Sequence, residues 1–95
     1  MLIHIVCFKY KAEVDAATRQ EHRDRSRALG DLDGIVEFKV GADIMRAAPS
    51  YDTALVAKFR DRAAHDAYQV HPRHVELAQF IVPKCEHIVK VDFNE

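Results

Sequence analysis

The stretch LIHIVCFKY, from Leu2 to Tyr10, alternates with a period of two. Leu2, His4, Val6, Phe8 and Tyr10 fall on one face, and Ile3, Ile5 and Cys7 on the other. Both faces are apolar, which is the pattern of a central strand covered on both sides. His4 is then a polar group inside a covered sheet and needs a hydrogen-bond partner. Residues 51–59 repeat the pattern: Tyr51, Thr53, Leu55, Ala57 and Phe59 alternate with Asp52, Ala54, Val56 and Lys58, predicting a second central strand. Residues 35–44 place Val36, Phe38 and Val40 opposite Glu37 and Lys39, a polar alternation suited to an edge. The last strand spans Cys85 to Phe93, with His87, Val89, Val91 and Phe93 opposite Ile88, Lys90 and Asp92.

Between these strands the period changes. Glu13 to Leu29 reads as a helix whose thin apolar stripe is Val14, Ala17, Ala28 and Leu29; Gly30 and Gly34 punctuate its end. Arg19, Arg23 and Arg27, at i, i+4 and i+8, form a basic ridge, read here as a solvated face balanced by Glu21 and Asp24. Residues 45–50 form a loop. Asp61 is the expected N-cap of a helix carrying Tyr68. Proline disfavours helical backbone in the residue before it and suits a helix's first position. One helix therefore ends near Val70 and another begins at Pro72.

The order strand-helix-strand-strand-helix-strand predicts a single α+β domain over residues 1–95, a ferredoxin-like fold with an antiparallel sheet in the order 4-1-3-2. The helices can cover only one face of that sheet. The other is also apolar, and a second copy of the chain is the natural cover, giving a homodimer joined through its sheet faces.

Composition excludes several classes of function. The chain has 95 residues and a formal charge of -1, so nothing electrostatic points to nucleic acid. The apolar start lacks a preceding basic region and soon meets Lys9 and Lys11, which fits neither a signal peptide nor a membrane span. Cys7 and Cys85 lack CxxC spacing and read as reduced residues of a cytoplasmic protein.

The chemistry gathers in Tyr68-x-x-His71-Pro72-x-His74. His74, Ala78 and Ile81 share a helix face at i, i+4 and i+7, which points His74 inward among apolar neighbours. The free amides and dipole of the first helical turn disfavour a positive imidazole there. A neutral histidine near pH 7 can act as a base; it can equally be a buried, hydrogen-bonded structural residue. His4, Tyr68 and His74 in one apolar pocket would suit proton transfer next to a carbonyl, with His71, Phe80 and Ile81 as binding residues and a small apolar or aromatic molecule as ligand. His71, His74, Glu76 and His4 supply too few dependable ligands to predict a metal. The absence of a nucleotide-binding glycine motif supports no redox cofactor. His22 and His65 lie in polar helical stretches where exposure is the default.

The run Tyr68-x-x-His71-Pro72-x-His74, together with LIHIVCFKYK, GIVEFKVGADI, YDTALVAKF and VKVDF, resembles the stress-responsive A/B barrel family over nearly the whole chain. The resemblance implies a dimeric α+β barrel. By analogy with the family's plant polyketide cyclases, which close a polyketide chain by aldol condensation without a cofactor, His74 would be the base. Tyr68 would polarise the carbonyl and His4 would support the pocket. The family also contains proteins associated with stress responses, some of which build rings from dimers; in such a protein the same motif is architecture, with His71 capping the second helix and His74 bonded internally. Cofactor-free monooxygenases and lactone isomerases share the barrel, but the Tyr-x-x-His-Pro-x-His run favours the stress-responsive family over those.

Overall fold

A computed structural model describes all 95 residues. The elements are β1 (Leu2–Tyr10), α1 (Ala16–Ala28), β2 (Ile35–Ala42), β3 (Thr53–Phe59), α2 (Arg62–Val70), α3 (Pro72–Ile81) and β4 (Cys85–Asn94), with short 3-10 turns after α1 and α3. They form one antiparallel sheet in the order β2-β3-β1-β4, with the helices against one face: the ferredoxin-like α+β fold. The two strands apolar on both sides, β1 and β3, are indeed central. The polar alternation of β2 marks an edge.

Even-numbered β1 side chains point toward the helices, where Tyr10 joins Leu55, Ala57, Phe59, Tyr68 and Ile81 in the core. On the opposite face Val56, Val89, Val91 and Phe93 are exposed. This is an apolar surface that the chain's own helices do not reach.

Local chemistry sets the helix limits. Asp61 is extended and its carboxylate accepts from the Ala64 amide at 2.8 Å, capping α2. The helix stops at Val70 because His71, before Pro72, is held extended at φ -63 and ψ 135. The His71 ring then accepts from the Arg73 amide at 3.1 Å, so one residue ends α2 and caps α3. At the chain's first helix the boundary differs from the sequence reading. It begins at Ala16 rather than Glu13, because Asp15 is extended and captures the Thr18 amide at 2.8 Å.

Two further expectations are corrected in α1 and α2. His22 and His65 are buried, at 1% and 9% exposure, rather than solvated. Helix α1 has so few apolar residues that the face it lays on the sheet is itself polar, with His22 and Ser26 as its buried residues. The basic ridge is only partly solvated. Arg27 does pair with Asp24, but it also donates to the Val40 carbonyl at 2.9 Å, and Arg23 donates to Thr53 Oγ1 at 3.1 Å. Cys7 and Cys85 are free and half-buried.

Candidate functional site

A cavity of about 180 Å³ lies between the helix-facing side of the sheet and helices α1, α2 and α3. Its volume is close to the ~150 Å³ of an apolar cavity able to hold benzene, which sets the scale of a single-ring ligand. His4 from β1, Tyr68 from α2 and His74 from α3 all line it, so the structure brings together the three residues singled out in the sequence. Ile81 lines it too. His71 and Phe80 do not: His71 caps α3 beside a separate cleft, and Phe80 packs beneath the Arg25 guanidinium and the Lys84 ammonium.

The Pro72 start determines how His74 sits. As the third residue of α3, it reaches back over the end of α2, where its Nδ1–H donates to the Gln69 carbonyl at 3.1 Å. That bond satisfies one of the carbonyls a helix C-terminus leaves open. It also fixes the proton on Nδ1 and leaves Nε2 with a free lone pair. Burial lowers the His74 pKa below the usual 6.5; the Gln69 carbonyl pulls the other way, and His4 and His65 add to the lowering. The ring is therefore neutral at pH 7.

The Tyr68 ring centroid is 4.5 Å from that of His74 and 6.2 Å from that of His4. Its hydroxyl has no hydrogen-bond partner in the chain, and burial alone pushes its pKa well above the usual 10. It is a phenol that stays protonated. Every fully buried polar side-chain atom of the molecule has a partner. The Tyr68 hydroxyl, His74 Nε2 and His4 Nε2 have no partner in the chain, so each keeps some accessible surface, and all three residues line the cavity.

His4 does find the partner its burial requires. Antiparallel pairing of β1 with β4 sets His4 opposite Asp92. His4 Nδ1–H donates to Asp92 Oδ1 at 2.5 Å. Burial lowers the His4 pKa, while the hydrogen bond and charge of Asp92 oppose that shift. Burial would raise Asp92, but the bond from His4 and then the Lys90 ammonium, 3.3 Å from Oδ2, hold it below the usual carboxylate value. The pair is thus a neutral imidazole oriented by an ionised carboxylate, with Nε2 left as an acceptor. Asp92 was absent from the sequence-based site. The signal was present: His4 needed a partner, and Asp92 alternates with Val91 and Phe93, away from the apolar outer face.

His65, one turn before Tyr68, completes the arrangement with its Nε2 3.6 Å from Asp92 Oδ1 and its ring 5.1 Å from His4. His4, His65 and Asp92 offer three ligand atoms within 4.8 Å of one another, the cluster best placed to hold a metal ion. Their spacing suits a hydrogen bond better. Ligands ~2 Å from a tetrahedral zinc stand roughly 3.3 Å apart, and the His4–Asp92 atoms are closer than that. With Lys90 on the other Asp92 oxygen, the donors serve each other.

The family model described as "Stress responsive A/B Barrel Domain" matches residues 2–95. No curated protein matches the chain. Among solved structures, a dimeric ferredoxin-like protein of unknown function from Thermobifida fusca is 27% identical with a TM-score of 0.91, over 99% of this chain and 90% of that one. A dimeric ferredoxin-like protein of unknown function from Jannaschia is 29% identical with a TM-score of 0.82, over 99% and 98%. The hydroxynitrile lyase of Passiflora edulis shares the fold, at 24% identity and a TM-score of 0.86 over 99% and 94%. With the family model spanning all but the first residue, this chain belongs to the stress-responsive A/B barrel domain family.

Proposed function

We propose that this protein binds a small apolar or aromatic carbonyl compound, one per subunit of a homodimer, and moves a proton at the carbon beside the carbonyl using only its own side chains. The observation that carries this reading is the convergence, on one largely apolar cavity, of three residues that each bear a partner-free polar atom: His74 Nε2, Tyr68 Oη and His4 Nε2. A motif serving only as architecture would be packed shut at His74.

Each group suits a step. His74 Nε2 takes the proton from carbon, because its imidazole is neutral at pH 7. As the C–H pair moves toward the carbonyl, charge builds on oxygen, and the Tyr68 hydroxyl donates a hydrogen bond there without ionising. His4, oriented by Asp92, positions the ligand as an acceptor. The proton on His74 then returns to carbon, or passes to a new alkoxide if the enolate attacks a second carbonyl of the same ligand. Atoms balance in both cases, and no electrons leave the system. The dimer reading draws on the uncovered outer sheet face and on the dimeric relatives from T. fusca and Jannaschia. The fold by itself selects no chemistry.

Exchange of ketone α-protons in D₂O, followed by proton NMR with 4-phenylbutan-2-one, tests the reading. The protein should accelerate exchange above the buffer rate. His74→Ala should lower the protein-dependent rate by roughly 10²-fold or more. Tyr68→Phe should lower it by about 10²-fold. Exchange no faster than buffer, or untouched by His74→Ala, sinks the proposal.

A further inference from the structure

The cavity has a second polar end that proton transfer does not use. His22 and Ser26 of α1 line it, beyond Val6 and Phe8 from the His4 end. The Phe8 and His22 ring centroids are 4.6 Å apart. His4 and Phe8 are four residue steps apart on an extended strand, roughly 13 Å along β1.

His22 is 1% exposed and its two nitrogens are treated differently. The Tyr10 hydroxyl donates to Thr53 Oγ1 at 2.9 Å, and Thr53 Oγ1 also accepts from Arg23. The proton of Tyr10 is thereby committed, so the 2.6 Å contact between its oxygen and His22 Nδ1 has the imidazole as donor. Burial, with Arg23 and Arg25 adding to it, lowers the His22 pKa to about 4. A neutral ring with its proton on Nδ1 has a bare lone pair on Nε2. That nitrogen has no partner in the chain, yet no fully buried polar side-chain atom lacks one, so Nε2 keeps some accessible surface on a residue that lines the cavity. Ser26 has no proton left to offer a ligand, since its hydroxyl donates to the His22 carbonyl at 2.7 Å.

We infer that His22 Nε2 is a specificity-determining acceptor, so that the ligand carries a hydroxyl, such as a phenol, at the end remote from His74. This inference rests on the reading of the cavity as a ligand site. The ligand is then bipolar: a carbonyl at Tyr68 and His74, an apolar or aromatic body along Val6 and Phe8, and an O–H donor reaching His22. A buried acceptor discriminates strongly against an analogue lacking the donor, because that analogue leaves the acceptor unpaired.

Two matched ketones test it on the full-length protein: 4-(4-hydroxyphenyl)butan-2-one and 4-phenylbutan-2-one. Calorimetric Kd values should favour the phenol by roughly tenfold or more. In long-range proton–nitrogen NMR, the phenol should move the His22 Nε2 resonance away from its unprotonated position, and the phenyl ketone should not. In His22→Phe the preference should collapse to about one. If both ketones bind equally and His22 Nε2 stays unmoved, this inference is overturned while the cavity remains a ligand site. A preference that survives in His22→Phe also overturns it. If neither ketone binds, the cavity reading fails and the inference with it. The NMR readout on the unaltered protein keeps the test decisive even if His22→Phe folds poorly.

Discussion

At the residue scale, the three polar groups of the proposed reaction were legible in the sequence because each broke a local rule. His4 stood in a two-sided apolar strand, and Tyr68 and His74 flanked a proline that forces a helix break. Asp92 was not read as part of the site, and His22 and His65 were read as exposed, since each looks like an ordinary polar residue until strand register or helix packing turns it inward. The buried histidines make stability depend on acid. In the unfolded chain each takes up a proton as pH falls below about 6.5. In the folded protein His4, His22 and His74 resist, His22 down to about 4. Proton uptake therefore favours unfolding; the stabilisation is complete above about pH 6.5 and erodes toward pH 4. Asp92, held low, adds loss in the same direction only at still lower pH. Urea unfolding at pH 7.5 and 4.5 should show a loss of about 2–3 kcal/mol from His22 alone. Equal stability at the two pH values would mean that these rings are not held neutral.

At the scale of elements, the boundaries at Asp61 and at His71–Pro72 were legible in the sequence, and the start of α1 was not. The break at His71–Pro72 and the Asp61 cap lie where the sequence places them. The apolar stripe of α1 misled, because that helix packs His22 and Ser26 against the sheet in place of aliphatic side chains. The true start, at the Asp15 cap, was missed because Glu13 and Val14 continue the helical pattern by composition alone. Helix α2 carries both Tyr68 and His65, so its cap supports the site from outside it. Asp61→Ala removes the bond to the Ala64 amide. It should cost about 1 kcal/mol in denaturant unfolding. A change indistinguishable from zero would show that the cap does not secure α2.

At the scale of the whole molecule, strand order was readable because the two strands apolar on both faces had to be central. The same observation left one face without cover, and it is the argument for a second copy. Val89, Val91 and Phe93 are 51%, 61% and 47% exposed, and all three alternate onto the outer face of β4. Apolar side chains exposed side by side mark an interface in a chain of this size. Sedimentation velocity should find a dimer at micromolar concentration. Val91→Glu, which buries a charge in that interface without touching the cavity, should shift the population to monomer. A monomeric unaltered protein would contradict the homodimer.

The pH profile of α-proton exchange is the sharpest test of His74 as an accessible, neutral base in the cavity. Because burial depresses its pKa, the His74-dependent rate should be flat from pH 8 through 6.5 and fall only below that value. An acid limb centred at or above 6.5, or a profile that His74→Ala leaves unaltered, would contradict the account.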